Sequence, residues 1–190
     1  MRISNIEWDD KRTALLYKII LYICGAIMAI ITIYALSLSL IEYLETGKVV
    51  VGEILVTSEF PIKGLAKPVS YLMLASVIGW YCVTRLGERV TRKNSKTSIA
   101  LIELIAIAAT VISLYELIYN FMVWNALITA DLLRGTLDID RLSMPYPNPN
   151  TPWSLVFATK MFLASLIISA HAWYLSAKAY NERSKKGNKT

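Results

Sequence analysis

Four long apolar segments alternate along this chain with shorter segments that hold most of the charged residues. The first two contain uncharged runs of 23 residues over 19–41 and of 17 residues over 68–84. A hydrocarbon layer of about 30 Å is crossed by roughly 20 apolar residues in an α-helix. The pattern therefore predicts an all-α membrane protein, a bundle of four transmembrane helices over about 13–45, 68–90, 97–130 and 153–178.

Length and composition fit a single polytopic membrane domain over 1–190. The chain has 190 residues, of which 55% are apolar, and this length is usual for one domain. The first apolar segment is too long for the apolar core of a signal peptide, and no small-residue cleavage site follows it. We expect it to remain as a membrane helix. The basic tail over 179–190 is expected to be disordered.

Basic residues are distributed in a way that indicates an orientation in the membrane. The N-terminal segment, the middle connection and the C-terminal tail together carry 14 Lys and Arg residues, whereas the other two connections carry five. Cytoplasmic segments are enriched in Lys and Arg. We therefore expect both termini in the cytoplasm and a multi-pass protein of the plasma membrane. The net charge of +6 then reflects topology and lipid contact rather than a nucleic-acid partner.

The first connection, over 46–67, is predicted to lie on the outer surface. Residues 48–57 are rich in β-branched side chains, which favour extended structure. We expect a short strand or β-hairpin there. Pro68 suits the first turn of the following helix, where a missing N–H group is harmless.

The third connection, over 131–152, contains alternate prolines, which prevent helix formation and favour stiff, extended backbone. Two interpretations remain open, a rigid lead into the fourth helix or a docking surface for another subunit. The candidate interface residues are Pro145, Tyr146, Pro147, Pro149 and Trp153.

Glu116 is the main candidate for a functional group within the membrane. It lies near the middle of the third apolar segment, three residues after Ser113 and four before Asn120. This spacing places all three side chains on one helix face. Polar groups at membrane depth face a bundle interior, a partner or a water-filled cavity rather than lipid. The alternatives are a hydrogen-bonded structural glutamate, a proton or cation site, and a contact with a partner chain.

Two further pairs of polar residues are predicted at matching depths on the third and fourth helices. Glu103 is seven residues from Lys96 and His171 is seven from Lys178, at the ends taken as cytoplasmic. By the same reasoning Glu116 and Lys160 lie within about 3 Å of one depth. Glu103 and Glu116 point about 140° apart. We therefore expect at most one of the pairs Glu103–His171 and Glu116–Lys160, with Glu103 otherwise reaching the interface.

Catalytic and metal-binding motifs are absent from the sequence. Cys24 and Cys82 both lie in apolar segments and form no Cys-x-x-Cys unit, so a packing role is expected for each. With His171 as its single histidine, the chain alone cannot build a bis-histidine haem or multi-histidine metal site. We expect no cofactor, and the lack of a phosphate loop or a metalloprotease motif makes an enzyme the less favoured reading.

These observations favour a non-catalytic accessory or structural subunit of a larger membrane complex, with a respiratory or oxidase complex as one setting. The alternative is an oligomeric channel or proton-coupled transporter that uses Glu116. A weaker third interpretation is a redox protein that borrows a quinone or haem from a partner. The expected partners are lipid and other membrane subunits, or further copies of the chain.

Overall fold

The computed structural model describes residues 10–62, 66–91, 95–135 and 153–187, and over these ranges the protein is entirely helical. The described helices are α1 (Asp10–Thr46), α2 (Val51–Thr57), α3 (Pro68–Thr91), α4 (Lys96–Leu133) and α5 (Trp153–Gly187). All but α2 are long and apolar enough to cross a membrane. The prediction of four helices of this kind is confirmed.

The ends of the helices follow from local residue chemistry. Helix α3 starts at Pro68, as predicted. The Ser95 side chain caps α4 by accepting a hydrogen bond from the Ser98 N–H at 3.1 Å, which satisfies one otherwise unpaired donor. Helices α1 and α4 are followed by Gly47 and Gly135, whose positive φ angles of 73° and 67° suit glycine at the end of a helix.

The membrane-spanning helices differ in length. Helix α3 has 24 residues and is about 36 Å long, whereas α4 has 38 residues and is about 57 Å long. The apolar part of α3, Pro68–Gly87, has 20 residues, close to what the hydrocarbon layer requires. Helix α3 therefore marks the level of the membrane, and the longer helices must tilt or protrude. Helix α5 also continues to Gly187, beyond the end predicted near 178.

The long helices pack in the order α1, α3, α5, α4. The side of Gly79 in α3 lies against Cys24 of α1, and α5 lies against both α3 and α4. Among the described residues, no Cα atom of α4 comes within 8 Å of α1, α2 or α3. The bundle is therefore open on its α4 side, and α5 is the helix that joins α4 to the rest.

The strand or hairpin expected over 48–57 is replaced by helix α2, which corrects that expectation for Val51–Thr57. Leu55 and Val56 are buried, and Val51, Ile54 and Leu55 have the i, i+3, i+4 spacing of one helix face. Packing on that face overrides the β propensity of single residues.

Helix α2 folds back into the space between α1, α3 and α5. Val50 N–H donates to Ser39 Oγ at 3.2 Å. The start of α2 therefore contacts α1 about two helical turns before the end of that helix. The largest cluster of buried apolar side chains gathers around α2 from three other helices: Ile31, Ala35, Leu55, Val56, Val69 and Val156. This cluster closes one end of the bundle.

Replacing Ile31 with alanine should destabilise the protein by about 2 kcal/mol, because the side chain is 1% exposed and leaves a cavity in the α2 cluster. Ile33→Ala is the matched control, since Ile33 is two residues away and 63% exposed. Unfolding by sodium dodecyl sulfate, followed by tryptophan fluorescence, measures the difference. Equal midpoints for the two variants would contradict the role assigned to the cluster.

Candidate functional site

The antiparallel contact between α4 and α5 is a seam of buried, mostly small residues. On α4 the buried positions recur every seven residues, at Ile99, Ala106, Ser113 and Asn120. Ser113 Oγ and Ser165 Oγ are hydrogen-bonded at 2.8 Å across the seam. Small side chains let membrane helices approach closely, and a seven-residue repeat is typical of helices that wrap around each other. The Ser113–Ser165 contact fixes the register of α4 against α5.

Asn120 is a buried polar residue with an unsatisfied donor. The side chain is 7% exposed, and its Nδ2 group has no hydrogen-bond partner in the structure. A buried amide without a partner costs about 1–3 kcal/mol. Ser113 and Asn120 of the predicted polar face are both buried against α5, whereas Glu116, the third residue of that face, is only half-buried.

Glu116 lies at the edge of the same seam. The residue is half-buried. Along the helix axis it lies between Ser113 and Asn120, and around the axis it is turned to one side of both. Among the described residues, Glu116 makes no hydrogen bond or ion pair. A carboxylate in a membrane-spanning helix thus lacks a partner within the part of the chain that the structure describes.

Lys160 turns towards α3 and not towards Glu116. Its Nζ donates to Ser70 Oγ at 2.6 Å. The Ser113–Ser165 register places Glu116 level with Phe162, so the predicted agreement in depth with Lys160 holds. The predicted pair nevertheless does not form, because the two side chains leave opposite sides of the α4–α5 seam.

His171 also turns towards α3. Its Nδ1 accepts a hydrogen bond from Trp80 Nε1 at 3.2 Å, and its ring stacks on Tyr81 with centroids 6.0 Å apart. Glu103 is half-buried, and the seam register places it one helical turn, about 6 Å, further along than His171. The Glu103–His171 pair is therefore absent, and Glu103 lies at the level of Arg85, near the end of the membrane span of α3.

The contact with Trp80 determines which nitrogen of His171 carries the proton. An indole N–H is only a donor, so Nδ1 must be unprotonated, and the neutral ring carries its proton on Nε2. A histidine that binds a metal through Nε2 needs that nitrogen free of its proton. The described residues also contain no group of three or more His, Cys, Asp or Glu side chains placed to hold a metal.

A groove of about 340 Å³ opens beside the seam, on the side away from Glu116. Asn125 and Thr159 bond their own helix backbones at Phe121 O and Leu155 O, and Lys160 is the charged residue among the described residues that line the groove. The lining residues are Phe121, Trp124, Asn125, Ile128, Val156, Thr159 and Lys160. Volume and apolar lining fall within the range of small-molecule sites.

The proline-rich loop stays a prediction. Pro145, Tyr146, Pro147 and Pro149 lie outside the described residues, and Trp153 is the first residue of α5, with its side chain outside the described part. Sequence reasoning missed Trp80, Tyr81 and Ser70 as partners of His171 and Lys160. These three residues lie on α3, and their contacts with α5 could be inferred only once α5 was known to pack beside α3.

Comparison with known proteins gives no assignment: no protein-family model, no curated protein and no solved structure matches the chain.

We expect the neutral form of the His171 ring to carry its proton on Nε2 and to have an unprotonated Nδ1, because Trp80 donates to Nδ1. The chain has a single histidine, so ¹⁵N-histidine labelling and NMR in detergent give an unambiguous signal. Trp80→Phe should shift the Nδ1 resonance, whereas Trp173→Phe, an exposed position on the same helix as His171, should leave it in place. A protonated Nδ1 in the unaltered protein would contradict this assignment.

Proposed function

We propose that the protein is a non-catalytic accessory or structural subunit of a larger membrane complex. The observation that carries the proposal is the packing of α4, a membrane-spanning helix whose backbone comes close to that of α5 alone among the described helices, with Trp124 packed at the edge of the α2 cluster. Most of its circumference is therefore left for lipid or for another protein. Exposed apolar side chains are compatible with lipid as well as with protein. The polar residues of α4 therefore distinguish lipid from another protein as its neighbour.

Glu116 favours protein over lipid as the neighbour of α4. A charged side chain that faces hydrocarbon is unfavourable, with a cost of about 2.5–3.5 kcal/mol at the centre of the layer. None of that cost is offset by the described residues of the same chain, because Glu116 has no partner there. A subunit that supplied a partner would offset it, and the resulting contact would also fix the position of α4 in the complex.

The proposed orientation places both termini in the cytoplasm of a cell with the protein in its plasma membrane. Four membrane crossings put the two termini on the same side, and the excess of Lys and Arg at the termini and in the middle connection favours the cytoplasmic side. Helix α2 and the groove beside Lys160 would then lie at the outer end of the bundle.

Purification from the native membrane in a mild detergent should yield stoichiometric partner proteins, identified by mass spectrometry. A tag at each terminus, used in sequence, separates true partners from abundant membrane proteins, which should fall away in the second step. Recovery of a lone homo-oligomer with an intact fold would count against a subunit role.

The second candidate is an oligomeric channel or proton-coupled transporter. The observation in its favour is the adjacency of Glu116 to Asn120, whose buried Nδ2 has no partner. Polar groups one helical turn apart within a membrane helix are the kind of arrangement that marks ion and proton pathways. Four membrane helices are few for a carrier, so this function would need several copies around a shared pathway.

In proteoliposomes, a transporter that uses Glu116 should lose proton-coupled flux on Glu116→Gln. The glutamine amide has nearly the shape of the carboxyl group but cannot take up and release a proton. Glu45→Gln, an exposed position at the end of α1, serves as the control and should retain flux. Absence of flux in the unaltered protein, or flux unchanged by Glu116→Gln, would exclude this candidate.

A further inference from the structure

The surface of α4 that is not in contact with α5 has two distinct sides. Ser113 and Asn120 mark the line that faces α5. Successive residues turn by about 100°, which places Glu116 about 40–60° to one side of this line and Phe121 about 100° to the other. The second side holds the groove that contains Lys160. Glu116 therefore belongs to a surface of its own.

This Glu116 surface combines one carboxylate with aromatic and aliphatic side chains. Tyr115 and Tyr119 are stacked with centroids 6.4 Å apart and planes 14° from parallel. Apart from Glu116 the members are exposed. Helix geometry assigns these residues to the Glu116 surface: Ile112, Tyr115, Glu116, Tyr119 and Met122. Tyrosine and methionine are residues that protein interfaces favour.

Glu116 lies within the membrane rather than at its edge. The Ser113–Ser165 contact sets it level with Phe162 on α5. The Ser70–Lys160 contact then relates α5 to α3 and sets the same level at Leu72. Leu72 is four residues inside the start of the apolar span of α3, Pro68–Gly87, so the carboxylate lies about 6 Å within the hydrocarbon level.

We infer that the Glu116 surface docks a transmembrane helix of a different chain, which carries a lysine or arginine at the depth of Glu116. The inference rests on the proposed subunit function and specifies the chemistry of the partner. A basic side chain is the complement that an otherwise unpaired carboxylate requires at this depth. The apolar and aromatic side chains around Glu116 would exclude water from the ion pair and supply the packing.

A second copy of the chain does not fit this surface. Two copies related by a two-fold axis along the membrane normal bring identical residues together, so Glu116 would meet another Glu116. Like charges at close range disfavour each other. The nearest basic side chain at matching depth, Lys160, lies on the other side of the seam and bonds Ser70. The partner must therefore be a different protein.

Photo-crosslinking in the native membrane tests which side of α4 is covered. A benzoylphenylalanine probe replaces Tyr119 in one variant and Phe121 in the other. The two sites are aromatic, lie two residues apart, are 52% and 55% exposed, and point in opposite directions. We expect the Tyr119 probe to give an adduct with a different membrane protein at a yield at least about tenfold above the Phe121 probe.

The charge requirement is tested by Glu116→Gln in the Tyr119 probe background. The yield of the adduct should fall at least about tenfold, because removing one member of a buried ion pair leaves the other unpaired. Glu103→Gln is the control on the same helix, near the end of the membrane span, and should leave the yield unchanged. Glu116→Lys combined with a glutamate at the partner's basic position should restore the adduct. Gel filtration checks that each variant is folded.

The outcomes separate the two proposals. Adducts from the Phe121 probe only, or a crosslinked helix without Lys or Arg at that depth, would overturn the docking inference while leaving the subunit function standing. An adduct between two copies of the chain at Tyr119 would overturn the partner chemistry. No adduct at either site, together with no co-purifying protein, would overturn both. Full yield from a folded Glu116→Gln variant would overturn the charge requirement.

Discussion

The seam between α4 and α5 is the contact on which the C-terminal half of the structure depends. The backbone of α4 comes close to no other described helix, so its position is set mainly by small residues that allow close packing with α5 and by the hydrogen bond between Ser113 and Ser165. In a bilayer, the hydrophobic effect does not drive helices together, and fit and hydrogen bonding must hold them. The seam has both, and polar Asn120 lies on it as well.

Helix α5 joins this seam to the N-terminal half through polar contacts on its other side. Lys160 reaches Ser70 and His171 reaches Trp80, and the two contacts are ten and eleven residues apart along parallel helices. They fix both the tilt and the register of α5 against α3. Helix α2 adds apolar packing at one end, where its side chains meet those of α1, α3 and α5.

Apolar segment length was sufficient to predict the four long helices, and proline chemistry was sufficient to predict the start of α3 at Pro68. Helical periodicity also placed Ser113, Glu116 and Asn120 on one face directed away from lipid, but it could not separate the bundle interior from a partner or a cavity. Helix α2 was mispredicted because β propensity was counted without the i, i+3, i+4 spacing of Val51, Ile54 and Leu55. The depth of each polar residue could be calculated from the rise per residue, but the neighbouring helix towards which its side chain points could not. Lys160 and His171 turn to α3, and that depends on which helix packs beside α5.

The unequal lengths of α3 and α4 have a consequence for the surrounding lipid. The apolar part of α4, Thr97–Leu133, has 37 residues, against 20 for α3. A bilayer of uniform thickness matches both only if α4 tilts or protrudes, and the part of the length difference that tilt does not absorb deforms the lipid beside α4. That elastic deformation is relieved wherever another protein replaces lipid along α4. Hydrophobic mismatch therefore favours association on the α4 side independently of any charge.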